Sequence, residues 1–334
     1  MINKDIYGFN YMKVLVTGAA GFLGSHLTEK LIESGNKVRA LMHYDSNNNW
    51  GWLENSKYKK EIEFVVGDIR DFDSVYSAMK DVDEVFHLAA LIGIPYSYLS
   101  PLAYIKTNIE GTYNVIQSAK LLNTKNVIIT STSETYGSAQ YIPIDENHPY
   151  VGQSPYSATK IGADNLAISF HRSFGLPIKI VRPFNIYGPR QSARAIIPSI
   201  AVQILNGMKE IKLGNLAATR DLTFVKDTVS GFIEISKEQK LNGESTNIGM
   251  NDEISIKDLV EKISKIINKK ITIKTDENRV RPEKSEVNRL VCDNSKIKKF
   301  TKWRSKYNLD QGLKETIEWL EHNKKLFKFD IYNQ

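Results

Sequence analysis

Tyr156 and Lys160 are the residues whose types and spacing speak most directly of chemistry. They lie four apart in Ser154-Pro155-Tyr156-Ser157-Ala158-Thr159-Lys160. Ser154 suits an N-cap and Pro155 a first helical position, so the segment predicts a helix start. Tyr156 and Lys160 then share one face, a turn apart. A free tyrosine titrates near about pH 10 and is a poor base at neutral pH. A nearby ammonium favours the phenolate and is expected to lower that value. Tyr156 could then take a proton from an alcohol while a hydride leaves the same carbon. The spacing alone also fits an exposed helix pair.

A second constellation removes that ambiguity. In Thr17-Gly18-Ala19-Ala20-Gly21-Phe22-Leu23-Gly24 the glycines recur at every third position. A turn without Cβ atoms lets backbone N–H groups approach a pyrophosphate, and the following helix points its positive end at it. The cradle follows a short apolar run and precedes a helical pattern with Leu23, Leu27 and Leu31 on one face. That context favours a dinucleotide over a plain tight turn. The acid that usually meets the adenosine ribose should close the second strand, but Met42 stands there. No arginine awaits a 2′-phosphate either, so NAD is expected and NADP is not excluded. Asp68, in Gly67-Asp68-Ile69-Arg70, is placed either to meet the adenine or to cap the helix of residues 71–80.

Parallel strands and covering helices must position these groups. Apolar runs at 12–17, 37–41, 64–66, 85–88, 127–130 and 178–181 alternate with helical patterns such as 102–122. Such alternation predicts an α/β fold: a Rossmann-type, doubly wound parallel sheet. After Pro183 the pattern changes to mixed helices and short strands. The expected division is a dinucleotide-binding domain at 12–182, with a return segment near 221–249. A smaller mixed α/β substrate-binding domain would take 183–220 and 250–325.

Composition narrows the function classes. The chain has 334 residues, 41% hydrophobic and 25% charged, the balance of a globular protein. Cys292 is the single cysteine, which excludes an intrachain disulfide and suits a reducing cytoplasm. The longest apolar run is too short to span a bilayer, and the first 11 residues lack the apolar core of a signal peptide. Net charge is +7, and residues 251–334 hold 20 basic against 14 acidic residues. Acidic residues are interleaved with the lysines, so a solvated surface is expected rather than a nucleic-acid partner. No His/Cys/carboxylate cluster suggests a metal. His87 is read as structural.

Further segments join these two: His87-Leu88-Ala89-Ala90, Thr107-Asn108, Ser131-Thr132-Ser133-Glu134-Thr135-Tyr136-Gly137, the run from Arg182 to Arg190, and the run from Arg220 to Asp227. Together, from Met12 to about Trp319, they resemble the extended short-chain dehydrogenase/reductase family, specifically its nucleotide-sugar epimerases, dehydratases and decarboxylases. The resemblance implies catalytic roles for Thr132, Ser133, Glu134, Tyr156 and Lys160. It implies cofactor contacts from Gly18, Gly21, Phe22, Leu23, Gly24, Asp68, Ile69, Leu88, Ala89, Ala90, Thr107, Tyr156, Lys160 and Pro183. Asn185, Arg190, Arg220 and Arg281 would bind the sugar nucleotide, the last two as planar donors to its diphosphate.

Glu134 selects among the reactions. A C4 epimerase of this family needs no further base. A carboxylate there resembles the 4,6-dehydratases, in which a C4 ketone acidifies C5–H and the C6 hydroxyl leaves as water. The Thr-Ser-Glu order is similar to the GDP-mannose 4,6-dehydratases, whose one Glu is assigned both proton transfers. Residues 43–53 and 91–98 look most like the GDP-N-acetylglucosamine dehydratases of legionaminic-acid pathways. A glucuronate decarboxylase also carries Thr-Ser-Glu, but the usual arginine shortly before its Tyr is missing from Gly152-Gln153-Ser154-Pro155. The resemblance further implies a homodimer or homotetramer built through helices of the dinucleotide domain.

Overall fold

The computed structural model describes residues 11–276, 279, 282–329 and 331. The chain opens with β1 (Lys13–Thr17), α1 (Phe22–Glu33), β2 (Lys37–Met42), β3 (Ile62–Val66), α2 (Phe72–Met79) and β4 (Glu84–His87). Helices α3 (Ile94–Leu99) and α4 (Pro101–Tyr104) pass through a π-helical turn, Ile105–Glu110, into α5 (Gly111–Leu122). Then come β5 (Asn126–Thr130), α6 (Pro155–Phe174) and β6 (Ile178–Pro183).

The strands form one seven-stranded sheet in the order β3-β2-β1-β4-β5-β6, closed by β11 (Ser245–Ile248) beside β6. Every pairing in it is parallel. Successive residues point to opposite faces, so Val14 and Val16 enter one core layer while Leu15 enters the other. Both layers are apolar, as a parallel sheet covered on both sides requires. Each Val, Leu or Ile fully buried there contributes about 1.5–3 kcal/mol.

The chain after β6 runs through β7 (Asn185–Tyr187), α7 (Ile196–Leu205), β8 (Glu210–Leu213), β9 (Thr219–Arg220), β10 (Leu222–Phe224) and α8 (Val225–Lys237) before β11. It continues as β12 (Ile254–Ser255), α9 (Ile256–Ile267), β13 (Thr272–Thr275), β14 (Arg289–Leu290), α10 (Ser295–Phe300) and α11 (Leu309–Asn323). Its small sheets pair distant segments: β8 with β13, and β9 with both β12 and β14. One apolar layer runs without a break from β1 and α1 to Leu313, Ile317 and Leu320 of α11.

The expected single helix over 102–122 is interrupted by the π-turn. The cause is Asn108, which is buried and spends its side chain on Leu91 N, Leu91 O and Thr159 Oγ1. An extra residue in the turn is a common way to redirect one side chain.

Candidate active site

The phosphate cradle forms as expected. Gly18 has φ +70°, and a Cβ there would stand 2.8 Å from Ala89 N. A Cβ on Gly24 would stand 2.1 Å from Gly18 O, so only glycine permits this closeness of turn and helix. Gly21 is the N-cap of α1 and offers no side chain to its first turn, where Phe22 and Leu23 begin the helix. The first-turn N–H groups of a helix have no acceptor within it, and they attract anions. This turn therefore fits the pyrophosphate of a dinucleotide.

Thr17 Oγ1 accepts from Leu88 N and Ala89 N at 3.1 Å each, which holds the 88–90 segment against the cradle. His87 bridges Thr17 and Thr112 at 2.8 and 3.1 Å and is buried. Burial pulls its pKa down to about 3, so it is a neutral strut, as expected. Asn108 grips the backbone of Leu91 on the far side of that segment, and Thr107 lies half-buried beside it.

Asp68 follows β3 and holds Arg70 through two carboxylate oxygens at 2.5–3.0 Å. This pairing lowers its pKa and keeps it ionised. The cap of α2 is Asp71, whose carboxylate accepts from Ser74 N, so the capping alternative for Asp68 falls away. Ile69 is buried under α5, where a Cβ on Gly111 would strike it.

Tyr156 and Lys160 emerge from the first turns of α6. Ser154 caps that helix in a reciprocal pair with Ser157, and Pro155 follows as its first residue. Both catalytic candidates are buried. Lys160 Nζ donates to Thr130 O at 2.5 Å, at the end of β5. Burial lowers its pKa to about 8, against the opposing pull of the Asp164 carboxylate one turn on. Tyr156 departs from expectation. Burial pushes its pKa well above the ordinary value, and Glu134 and Asp164 push the same way. The neighbouring Thr132 hydroxyl offsets part of this. The lysine charge, itself disfavoured by burial and turned to Thr130 O, is not what sets this phenol.

Thr132, Ser133 and Glu134 follow β5. Thr132 Oγ1 accepts from Glu134 N at 3.2 Å and caps the short 3₁₀ turn Ser133–Tyr136. Ser133 is buried, whereas Glu134 is half-buried with its charge felt at the Tyr156 hydroxyl. The end of β5 and the start of α6 thus bring a hydroxyl, a carboxylate and a phenol to the same place.

Below them lies a network that sequence reasoning missed. Arg182 of β6 is fully buried and pairs with Asp164 of α6 at 3.0 Å. Asp164 also accepts from Ser131 Oγ at 2.7 Å, and Arg182 reaches the hydroxyls of Tyr136 and Tyr150. Asp164 stands at i+4 from Lys160 and i+8 from Tyr156, a helical spacing that could have flagged it. Tyr104 meets Tyr156 edge-on, with ring centroids 6.2 Å apart, and no local pattern announced it.

The expected binding residues divide. Pro183 ends β6 against Ile248 of β11. Asn185 on β7 has a buried Oδ1 with no partner among the described residues, an acceptor suited to a ligand. Arg220 lies 3.3 Å from Glu286, whose backbone carbonyl accepts from Ser138 Oγ just past the Glu134 turn. Arg190, expected on the sugar-nucleotide side, is held within the chain by α1. Its guanidinium is paired with Glu29 of α1 at 3.0 Å, and its backbone has a positive φ of 72°. Arg281 lies outside the described residues. Asp221 and Asp227 of the same run are anchors: each accepts backbone N–H groups from segments far along the chain. Among the described residues no cluster of three metal-ligating side chains occurs, and no helix is long and apolar enough to cross a membrane.

The chain is similar to known proteins in sequence and fold. The family model GDP-mannose 4,6-dehydratase matches residues 15–316. A UDP-N-acetyl-α-D-glucosaminuronate decarboxylase from Bacillus cytotoxicus is 33% identical, covering 92% of this chain and 97% of the relative. A UDP-glucuronate 4-epimerase from Thermodesulfobacterium geofontis is 31% identical over 94% of this chain and 98% of its own. The dTDP-glucose 4,6-dehydratase of Streptomyces venezuelae, solved with NAD bound, superposes with a TM-score of 0.84 at 28% identity, covering 95% of this chain and 99% of that one. The chain therefore belongs to the GDP-mannose 4,6-dehydratase family, among the sugar-nucleotide dehydratases and epimerases of the extended short-chain dehydrogenase/reductases.

Proposed function

We propose that this chain is a nucleotide-sugar 4,6-dehydratase that uses NAD and acts on a nucleotide hexosamine, with GDP-N-acetylglucosamine as the first substrate to try. The observation that carries the reading is the half-buried Glu134 carboxylate, close enough to raise the Tyr156 pKa. A C4 epimerase has no use for a second base at that point.

The glycine cradle and Gly21-capped helix would hold the dinucleotide, which when bound would supply a hydride acceptor for C4 and the hydride donor for C6. Tyr156 removes the O4 proton as C4 becomes a ketone, and Thr132 steers that oxygen. Burial disfavours the phenolate, so its positioning beside Thr132 matters more than its resting basicity. Glu134 then removes the proton from C5, and the same carboxyl gives a proton to the departing C6 hydroxyl. The C6–O bond breaks and one water leaves. The proton taken from O4 balances the one returned to C5, and the product is a 4-keto-6-deoxy sugar. Ser133 is kept as a neighbour of these steps. In this reading residues 183–220 and 250–325 hold the sugar nucleotide, through Asn185, Arg220 and Arg281.

The relatives include a decarboxylase and an epimerase, so the assay must separate three outcomes. The protein is incubated with GDP- and UDP-hexosamines and with a uronate, and products are weighed by mass spectrometry. A product lighter by one water, with no accumulation of NADH, supports the proposal. Unchanged mass with inverted C4 replaces it with an epimerase, and loss of carbon dioxide from the uronate replaces it with a decarboxylase. Glu134→Gln is expected to keep dinucleotide binding and lose dehydration by about 10²-fold or more. Dehydration at the normal rate in that variant removes Glu134 from the mechanism.

A further inference from the structure

The segments bearing Glu134 and Tyr156 meet at one side chain, Gln153. It directly precedes Ser154, the cap of α6. Its Oε1 accepts from Ser138 N at 2.5 Å, two residues past the 3₁₀ turn Ser133–Tyr136. Its Nε2 donates to Lys284 O at 3.1 Å and, at a longer 3.4 Å, to Ser138 Oγ. Gly137 precedes Ser138 at φ +63°, and a Cβ there would stand 2.6 Å from Gln153 Oε1. Only glycine lets the amide come so close.

Ser138 and Gln153 together seat a third segment, a strap of residues 284–287. Ser138 Oγ donates to Glu286 O at 3.3 Å. The buried Ser285 hydroxyl meets the Tyr98 hydroxyl of α3 at 2.5 Å. Val287 is buried in a small apolar cluster with Tyr136 and Phe184. The Glu286 carboxylate then lies 3.3 Å from Arg220, the arginine proposed for the diphosphate.

These ties matter because the turn is weakly held from within. Thr135 N to Thr132 O and Gly137 N to Glu134 O are both 3.3 Å, longer than such bonds usually are. Val151 N donates to Thr135 O, and Arg182 holds the Tyr136 hydroxyl. Gln153 adds the hold on the exit of the turn, at Ser138. In the proposed reaction Tyr156 acts at O4 and Glu134 at C5 and C6, so groups on two elements must keep one spacing. A misplacement of about 1 Å can cost on the order of 10²-fold.

We propose that Gln153 is a positioning residue with two separable arms. Its oxygen fixes the Glu134 turn against the start of the Tyr156 helix. Its amide nitrogen seats the strap beside Arg220. This rests on the reading of Glu134 as the base at C5.

Two variants separate the arms. Gln153→Glu keeps an acceptor for Ser138 N and removes the donor to Lys284 O, whereas Gln153→Ala removes both. In Gln153→Glu the KM for the sugar nucleotide is expected to rise about three- to tenfold, with kcat within about threefold of the parent, since one hydrogen bond at the strap is lost. Its calorimetric affinity for the nucleoside diphosphate that the parent binds, GDP or UDP, should fall by the same factor. Gln153→Ala should show the same KM and a kcat lower by about tenfold or more. NADH should stand higher during its turnover than in the parent, because C4 is still oxidised at Tyr156 while the step at Glu134 lags. Thermal denaturation checks folding. Gln153→Met, which fills the space without either hydrogen bond, replaces the alanine variant if that one is unstable. Parent values of kcat and KM in both variants overturn the proposal. So does an equal loss of kcat in both, or a loss in Gln153→Ala without the rise in NADH, which a merely loosened fold would give. A parent that releases no 4-keto-6-deoxy product overturns the proposed reaction and the Glu134 arm with it, while nucleoside diphosphate binding to Gln153→Glu still decides the strap.

Discussion

The floor of the site and its rim are built in different ways. On the floor, Thr130, Thr132, Tyr156, Lys160, Asp164 and Arg182 come from β5 and the turn after it, α6 and β6, which follow one another in the chain, with β5 and β6 paired in the sheet. Their charged groups are almost wholly out of water, and each is held by another buried group. At the rim, Arg190 and Arg220 come from segments after β6 and lean on carboxylates from far along the chain, Glu29 and Glu286. Buried charges need partners whatever the ligand does. Arg220 is itself buried, whereas the Arg190–Glu29 pair is partly exposed and contributes less to the fold. The floor is thus buried and preformed, and the rim is more weakly held.

The sharpest way to break this contrast is at the phenol. Tyr156→Phe keeps the ring that packs on Tyr104 and deletes only the proton carrier. Turnover is expected to fall by about 10²–10⁴-fold, with dinucleotide affinity within a few-fold of the parent. Mass spectrometry of the product and calorimetry of the cofactor measure the two. Loss of both together would mean that the floor does not stand independently of its hydroxyl.

This same contrast governed what could be read in advance. The cradle, the strands and the Tyr156–Lys160 pair were legible because local spacing encodes them: three glycines in seven residues, alternating apolar runs, one helical turn. Glu134, four residues past the end of β5, was legible only through the resemblance of the Thr132-Ser133-Glu134 segment to the family. The Asp164–Arg182 pair joins two elements, and only the i+4 step from Lys160 hinted at half of it. The lowered Tyr156 pKa expected from Lys160 failed because spacing says nothing of burial, and burial dominates both groups. The Arg190–Glu29 pair was hidden because a run of residues does not reveal a partner on α1, far back in the chain. The π-turn at Asn108 was hidden because its cause, the backbone of Leu91, is distant in sequence.

Asp164→Asn probes the floor from beneath. Removing one partner of a buried ion pair leaves Arg182 uncompensated and is expected to cost about 3–5 kcal/mol of stability. Thermal or denaturant unfolding measures it. The variant should also lower the Lys160 pKa further, since Asp164 is what opposes burial there. A loss below about 1 kcal/mol would mean that water reaches the pair, and the floor would no longer differ in kind from the rim.

Lys160→Met sets stability against activity. Lys160 titrates at about 8 in the folded chain and near about 10.4 when unfolded. Between those values the unfolded chain binds more protons, so the lysine's contribution to stability rises with pH. Below pH 8 the penalty for burying the ammonium is complete. The variant should therefore be more stable than the parent at pH 7, by about 1–3 kcal/mol after the lost bond to Thr130 O is counted. That gain should vanish above about pH 10.5, where both states of the parent are neutral. A variant less stable at pH 7 would show that the hydrogen bond to Thr130 O outweighs burial.

The smallest effect is expected at the rim. Arg190→Gln removes a partly exposed partner of Glu29, so the stability change should stay near or below about 1 kcal/mol. Since the guanidinium is spent on α1, the KM for the sugar nucleotide should be unchanged within about twofold, an effect well under the tenfold that about 1.4 kcal/mol would give. A rise of tenfold or more in KM with kcat preserved would mean that Arg190 leaves Glu29 when the substrate arrives. The arginine would then return to the binding role its place after Tyr187-Gly188-Pro189 suggests, and the rim would exchange partners across α1.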